Sequence, residues 1–149
     1  MQKDIMDILI NEAKKTVKDI PVAAAVVKDG KIISLCVNER EKTNKVVSHA
    51  EILALNKANE ILSDWKLCDC EMYVTLEPCP MCAWAIINAR IKKLYFGSSD
   101  TKYGAFGGAI NLKALANSKI EVIAGLKEEK CDNLLKDYFR KLRNEKTAG

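Results

Sequence analysis

The chain has 149 residues, of which 48% are hydrophobic and 30% charged, and its formal net charge is +4. This length predicts a single domain over residues 1–149, and the mildly basic charge permits a nucleic-acid partner without requiring one. No apolar run approaches the ~20 residues of a membrane span, and the N-terminus lacks the pattern of a signal peptide, so we expect a cytoplasmic protein without a membrane partner.

Helical and alternating apolar patterns follow one another along the chain. In chain order they predict a helix over about residues 4–18, strands over about 22–27 and 31–37, a polar loop over 38–47, a helix after Ser48, a strand over about 72–76, a helix over about 79–90, a strand over about 91–96, a short helix over about 112–116, a strand over about 119–124 and a helix over about 128–144. Strands that alternate with helices predict an α/β fold with helices on both faces of one sheet.

Local residues mark several of these boundaries. Asp29 and Gly30 between two apolar runs are a strong hairpin signal. Ser48 is a candidate cap for the helix that follows it, and Pro80 is tolerated in the first turn of its helix. Gly97 is expected to end the fourth strand.

The chain contains one histidine, His49, which lies in an H-x-E run upstream of Cys79 and Cys82 in a P-C-x-x-C run. One imidazole and two thiolates make three protein ligands, the number typical of a catalytic zinc, whereas a structural zinc normally has four. The two runs in this order form the signature of zinc-dependent nucleobase deaminases. They predict one Zn²⁺ per chain, bound by His49, Cys79 and Cys82.

The acidic residue of the first run, Glu51, is expected to move protons rather than to bind the metal. It lies two residues after His49, at the start of the same predicted helix. The unpaired N–H groups at such helix starts favour thiolates at Cys79 and Cys82. Glu51 is then the catalytic residue, which takes a proton from water and returns it to the ring nitrogen and the leaving ammonia during hydrolytic deamination.

The remaining cysteines leave an alternative metal site open. A closed structural cluster could use four thiolates, those of Cys68, Cys70, Cys79 and Cys82. Its C-x-C half fits ordinary zinc ribbons poorly, and it leaves His49 and Glu51 without a role. The other two cysteines are expected to be small hydrophobic residues of the core: Cys36 and Cys131.

Further motifs accompany the metal pattern. They are Pro21-Val22, Lys28-Asp29-Gly30, Asn38, His49-Ala50-Glu51-Ile52, Tyr73-Val74-Thr75-Leu76-Glu77-Pro78-Cys79, Met81-Cys82-Ala83, Ala89-Arg90-Ile91, Phe96-Gly97, Asp100, Lys102, Gly104-Ala105, Gly107, Asp137, Phe139-Arg140 and Arg143. With them, the chain from about residue 21 to 143 resembles the bacterial tRNA-specific adenosine deaminases. These zinc-dependent enzymes of the cytidine/deoxycytidylate deaminase superfamily convert adenosine to inosine at the wobble position of tRNA anticodons.

The resemblance implies a fold, partners and site residues. The implied fold is the cytidine-deaminase-like three-layer α/β/α sandwich with a five-stranded mixed sheet. The implied partners are a tRNA anticodon stem-loop and a second copy of the chain in a homodimer. Asn38 is expected to hydrogen-bond the flipped purine, residues 100–107 to line the site, and the last helix to contact the anticodon stem. The implied substrate-binding residues are Asn38, Ala50, Pro78, Asp100, Phe139, Arg140 and Arg143.

Simpler interpretations of these residues stay open. The basic side chains of the last helix suit phosphates, but they equally suit a solvated helix face. Asn38 could be a turn residue only, and Asp100 a helix cap or turn residue. Trp84 and Phe106 stand where the resembled family has small residues, so they either narrow the pocket and redirect specificity or are accommodated by packing.

Three functions are compatible with the sequence. The first is the tRNA adenosine deaminase, which the motifs near Gly104 and Phe139 favour. The second is a free-base or nucleoside deaminase of the guanine or cytosine type. Trp84 favours it, as does the run Lys45-Val46-Val47-Ser48 before His49, where the resembled family commonly has an Asp-Pro-Thr-Ala type run. The third is a zinc-stabilised RNA-binding subunit without activity, which the intact Glu51 argues against.

Overall fold

Strands and helices alternate along the chain, as the apolar pattern predicts. The computed structural model describes residues 1–148. In chain order the elements are α1 (Gln2–Ala13), β1 (Ala23–Lys28), β2 (Lys31–Val37), α2 (Arg40–Thr43), α3 (Ala50–Leu62), β3 (Cys70–Leu76), α4 (Pro80–Asn88), β4 (Lys93–Ser98), α5 (Leu112–Leu115), β5 (Glu121–Ile123) and α6 (Glu128–Ala148). Within residues 1–148, none of the helices combines the length and the apolar character that crossing a membrane requires.

The five strands form one mixed sheet in the order β2-β1-β3-β4-β5. β1 pairs antiparallel with β2 and β3, whereas β3, β4 and β5 run parallel to one another. Asp29 and Gly30 join β1 to β2 with φ angles of 52° and 75°, because a tight hairpin turn needs positive φ at both central residues. The predicted α/β fold with a five-stranded mixed sheet is therefore confirmed.

Helices cover both faces of the sheet. On one face α3 and α4 contribute small and branched side chains, including Ala54 and Ile86, to a single core cluster. On the other face Leu9 of α1 and Leu134 of α6 pack against the sheet in a second cluster. Residues of β1 alternate between the two clusters because successive strand residues point to opposite faces. The result is the three-layer α/β/α arrangement.

One edge of the sheet gathers the segments that carry the predicted chemistry. β3 and β4 are parallel neighbours, so their carboxyl ends meet at this edge, where Glu77 N–H donates to Ser98 O at 2.8 Å. β1 begins at the same edge, with Ala23 N–H donating to Thr75 Oγ1 at 3.2 Å. β2 ends opposite Ala23 and so finishes there too. The loops that follow β2, β3 and β4 consequently converge.

The end of α1 and the cap at the start of α3 differ from the expectation. α1 ends at Ala13 rather than near residue 18, because Lys15 and Thr16 donate to carbonyls three residues back and the Thr16 hydroxyl also bonds Ala13 O. Ser48 does not cap α3. Its hydroxyl accepts a hydrogen bond from Thr43 Oγ1 at 3.0 Å, and His49 is the N-cap residue.

Two other differences come from contacts between distant segments. Residues 40–43 lie in the predicted loop but form α2, whose first N–H groups bond the buried Asp19 carboxylate. Gly97 lies inside β4 rather than ending it. A Cβ at this position would collide with the Cys131 side chain on α6, so glycine is needed for the close packing of that helix on the sheet.

Candidate active site

His49, Cys79 and Cys82 come together at the edge where the three loops converge. His49 is the N-cap of α3 and Cys79 is the N-cap of α4, each with an extended backbone just before its helix. His49 Nδ1 lies 3.7 Å from Cys79 Sγ and 3.5 Å from Cys82 Sγ. The three ligand atoms all lie within 4.8 Å of one another. The helices α3 and α4 therefore begin close to each other, and this brings the three ligand atoms together.

The two thiols of this cluster differ in acidity because each contacts the other. A hydrogen bond from Cys82, assisted by one from His49, lowers the pKa of Cys79 to about 4. The same contact, together with burial, raises the pKa of Cys82. The contact with Cys79 also raises the pKa of His49. The contact thus favours the thiolate form of Cys79 over that of Cys82.

This donor set fits a zinc ion. Zinc binds thiolate sulfur and imidazole nitrogen, and three such ligands leave one position free for water or substrate. The alternative cluster of four cysteines is wrong. Cys70 begins β3 and Cys79 follows its far end, roughly 20 Å along a seven-residue strand. Cys68 is exposed, and neither it nor Cys70 joins the metal-ligating group found within residues 1–148.

Glu51 lies beside the cluster in the first turn of α3. Its side chain is 5% exposed, and its carboxyl group is within hydrogen-bonding range of Cys82. Burial, the largest influence, raises the pKa of Glu51 to about 7, and the negative charge of Cys79 acts in the same direction. A carboxyl group with a pKa near neutrality can both accept and donate a proton at pH 7.

Asn38 follows β2 at the same edge, but its amide group already bonds the chain. Its Nδ2 donates to Ile20 O at 3.4 Å, and its Oδ1 accepts from Arg40 N–H at 3.3 Å. Both distances exceed the usual 2.9–3.0 Å, so these bonds are weak. Because an amide has two N–H donors and two acceptor lone pairs, Nδ2 and Oδ1 of Asn38 each keep capacity for one further hydrogen bond, such as one to a purine.

Three further predicted residues belong to this region of the chain: Pro78 directly precedes Cys79, Ala50 directly follows His49, and Asp100 lies in the loop after β4. Asp100 Oδ1 accepts from two N–H groups of the following turn, those of Lys102 at 2.9 Å and Tyr103 at 3.0 Å. The Pro78 carbonyl accepts from Ala105 N–H at 2.9 Å, which holds the loop after β4 against the residue that precedes Cys79. Pro78 and Ala50 are both buried, each directly beside a metal-ligating residue in the chain.

Sequence reasoning assigned no separate role to Glu77, which is a buried part of this site. It is 3% exposed, and its carboxylate accepts backbone hydrogen bonds from Asp100, Phe106 and Gly108. The signal that could have identified it is the glycine-rich run from residue 104 to 108, which lets the backbone fold closely around another group.

The three residues predicted to contact an anticodon stem lie on α6, in the layer opposite α3 and α4. Phe139 is 40% exposed and packs edge-on against Tyr138, with ring centroids 5.2 Å apart. Arg140 is exposed and pairs with Asp137 at 3.2 Å. Arg143 is exposed as well. The structure therefore groups these side chains on one helix, apart from the cluster of His49.

The two unexpected aromatic residues occupy different environments. Trp84 is 50% exposed on the outer face of α4, next to Met81, which is 36% exposed. Cys82 and Ile86 point inward from the same helix, as residues four apart do. Phe106 is partly buried against the core between the sheet and α4. Trp84 therefore does not fill the interior beside the cluster.

Comparisons with known proteins agree with this geometry. The family model for MafB19-like deaminases matches residues 2–143. A tRNA-specific adenosine deaminase from Bacillus subtilis (strain 168) is 41% identical over 144 residues, which cover 94% of this chain and 89% of that protein. A solved structure from studies of A-to-I editing by tRNA:A34 deaminases at the wobble position of transfer RNA superposes with a TM-score of 0.80 at 34% identity, over 89% of this chain and 99% of the other. A guanine deaminase from Bacillus subtilis has 36% identity and a TM-score of 0.53, over 67% of this chain and 57% of that one.

Proposed function

The chain belongs to the MafB19-like deaminase family, and we propose that it converts adenosine to inosine at the wobble position of a tRNA anticodon. The observation that carries the proposal is the cluster of His49, Cys79 and Cys82 with the buried carboxyl of Glu51 beside it. The relatives that act on tRNA match nearly the full length of the chain, which supports the choice of substrate. In this proposal residues 1–149 form one deaminase domain.

His49, Cys79 and Cys82 hold the zinc ion in the proposed mechanism, one ion per chain. When bound by three protein ligands, zinc supplies an activated water at neutral pH. Glu51 takes a proton from the attacking water and delivers it to the purine ring nitrogen. Glu51 then takes the remaining proton of that water from the hydroxyl group on C6 and passes it to the amino group, so that ammonia leaves and the ring carbon keeps the oxygen as a carbonyl.

Substrate binding uses the loops at the carboxyl ends of the strands. The proposed contacts to the target nucleotide come from Asn38, Ala50, Pro78 and Asp100, with residues 100–107 beside it. The base must leave its stack to reach Glu51, and an unpaired anticodon-loop nucleotide does so at low cost. Phe139, Arg140 and Arg143 of α6 contact the anticodon stem. The proposal includes a cytoplasmic location, because the enzyme must meet its tRNA substrate there.

The proposed assembly is a homodimer. Met81 and Trp84 lie one turn apart on the outer face of α4, and Val47, two residues before His49, is 49% exposed. Apolar side chains exposed beside a site are typical of surfaces covered by a partner. A second copy of the chain would remove them from water next to the metal ligands.

A free-base or nucleoside deaminase, of the guanine or cytosine type, is the second candidate. The similarity to a guanine deaminase favours it, but it combines 36% identity with coverage of only 67% of this chain. The match to a tRNA-specific enzyme combines 41% identity with coverage of 94%. We therefore prefer the RNA substrate.

The proposal is tested with the zinc-loaded protein and an anticodon stem-loop that carries adenosine at the wobble position. Inosine formation is measured by nucleoside chromatography, and ammonia release from free guanine, cytosine, adenine and their nucleosides is assayed in parallel. Inosine in the stem-loop without release from free bases is the expected result.

The Glu51→Ala variant provides the matched control in the same assay. It is expected to keep one zinc per chain and to lose activity by several orders of magnitude, because the proton carrier is gone while the ligands remain. Ammonia from a free base with an inert stem-loop would instead establish the second candidate, and near-normal turnover of Glu51→Ala would remove this residue from the mechanism.

A further inference from the structure

The Glu77 carboxylate is surrounded by backbone N–H groups of a single loop, residues 99–111 between β4 and α5. Oε1 accepts from Asp100 N–H at 2.9 Å. Oε2 accepts from Phe106 N–H at 3.0 Å and from Gly108 N–H at 2.9 Å. The side chain is 3% exposed, so these bonds are shielded from water. One buried side chain thus bonds the loop at three places.

Two glycines allow the 99–111 loop to fold this closely around the carboxylate. A Cβ on Gly104 would collide with the Glu77 carboxyl group and with Asp100 O. A Cβ on Gly108 would also collide with Asp100 O and would come within 2.6 Å of Glu77 Oε1. The loop has no room for another side chain at either position, so its shape is adapted to the carboxylate.

The backbone of Glu77 ties this arrangement to the metal-ligating helix. Its N–H bonds Ser98 O at 2.8 Å, at the point where the 99–111 loop leaves β4. The next residue, Pro78, accepts Ala105 N–H at 2.9 Å, and Cys79 follows directly as the N-cap of α4. The same three residues therefore fix both the start of α4 and the path of the loop beside it.

We propose that Glu77 is a positioning residue that sets the shape of the 99–111 loop relative to the metal-ligating start of α4. It does not act on protons of the substrate, since all described hydrogen bonds of its side chain are to backbone N–H groups. Glu77 affects activity because the 99–111 loop lines the site of the target nucleotide. This effect on activity rests on the RNA deaminase function proposed above.

The chemistry of the side chain explains why a carboxylate is needed. An ionised carboxylate only accepts hydrogen bonds and has capacity for about four of them. A glutamine of the same shape offers one acceptor oxygen and one NH₂ group, so its NH₂ group would face at least one backbone N–H donor. The loop would then lose at least one charge-assisted hydrogen bond and gain a donor–donor contact.

The test compares the zinc-loaded Glu77→Gln variant with the wild-type protein in three measurements. Zinc per chain is expected to stay at one, and hydrogen exchange of the 99–111 amides is expected to become about tenfold faster or more. KM for the anticodon stem-loop is expected to rise by about tenfold, with a smaller change in kcat, because the loop wall and not the proton carrier is altered. Glu121→Gln, an exposed glutamate paired with Lys93, is the matched control and is expected to change none of the three.

A second variant keeps the test decisive if Glu77→Gln folds poorly. Gly108→Ala leaves the carboxylate intact but forces the loop away from Asp100 O, so it is expected to retain zinc and to reproduce the higher KM. Unchanged loop exchange in Glu77→Gln, a normal KM in Gly108→Ala, or loss of zinc from either variant while it stays folded would overturn the proposal. If the wild-type protein does not deaminate the stem-loop while the exchange effect stays confined to residues 99–111, the RNA substrate is wrong and the positioning role of Glu77 is supported.

Discussion

Cys79 and Cys82 belong to one short turn, yet they lie in different surroundings. Cys79 is the half-buried N-cap of α4, whereas Cys82 is fully buried beneath the same helix. The hydrogen bond between them stabilises the thiolate of Cys79 and holds the pKa of Cys82 above its usual range. A cation that binds both sulfurs replaces this shared proton, so metal binding is expected to release it.

The ligand set predicts opposite effects for two cysteine variants. Cys82→Ser is expected to lose stoichiometric zinc, because a hydroxyl is a much poorer zinc ligand than a thiolate. Cys68→Ser is expected to keep one zinc per chain, because Cys68 is exposed and lies before β3. Zinc is measured by atomic emission on dialysed protein, and loss of zinc from Cys68→Ser would contradict the ligand set.

Residue patterns predicted the group of His49, Cys79 and Cys82 that the structure brings together, but they did not predict Glu77. His49 and Cys79 stand at helix starts that proline and apolar spacing make visible in the sequence. Glu77 bonds residues 23 to 31 positions further along the chain. Nothing in its immediate neighbours indicates those partners, because they meet only when β3 and β4 pair.

At the scale of elements, α6 has a packed first part and an exposed, basic later part. Its first turns pack on the sheet, where Cys131 lies against Gly97 and Ser98 Oγ hydrogen-bonds Asp132 Oδ1 at 2.5 Å. Its later turns carry exposed basic side chains, among them Arg140 and Arg143. The packing of the first turns thus fixes the orientation of the exposed later turns relative to the sheet.

The exposed arginines in the later turns of α6 are expected to contribute to RNA binding in a salt-dependent way. The double variant Arg140→Ala with Arg143→Ala is expected to raise KM for the stem-loop roughly tenfold and to reduce the slope of log affinity against log salt by about 2, because two phosphate contacts are lost. Zinc content and circular dichroism are expected to stay unchanged.

The matched control for α6 removes two other exposed cations. Lys66 and Arg90 lie over the Trp65 ring, at 5.5 Å and 5.9 Å from its centroid, and not on α6. Their double alanine variant is expected to keep the wild-type salt slope. If both double variants behave alike, the basic residues of α6 act only as a solvated face.

At the scale of the whole molecule, the mixed sheet explains why the site lies where it does. Parallel β3 and β4 end at one edge, and antiparallel β1 and β2 bring the start of one strand and the end of the other to the same edge. The two helices that carry the ligands both begin there and run over one face. The opposite face, covered by α1 and α6, is left for packing and for the exposed basic helix.

If the outer face of α4 forms the proposed dimer interface, a charged substitution on it should weaken the dimer. Trp84→Glu is expected to raise the dissociation constant of the proposed homodimer by at least about tenfold, because a charge replaces a large aromatic contact. The measurement is sedimentation equilibrium over a range of protein concentrations. Val17→Glu is the control, since Val17 is 89% exposed and follows α1 in the opposite layer. A monomeric wild-type protein would contradict the proposed assembly.

The sequence by itself determined the α/β class, the hairpin at Asp29-Gly30 and the candidate ligands, because each is carried by short runs of residues, the ligands by H-x-E and P-C-x-x-C. Only the tertiary structure decided that Ser48 bonds Thr43 instead of capping α3, and that Gly97 makes room for Cys131. It also decided that Trp84 faces outward and that Glu77 bonds the 99–111 loop. These outcomes depend on the register of paired strands and on helices packed across the sheet, which bring together residues that share no local pattern.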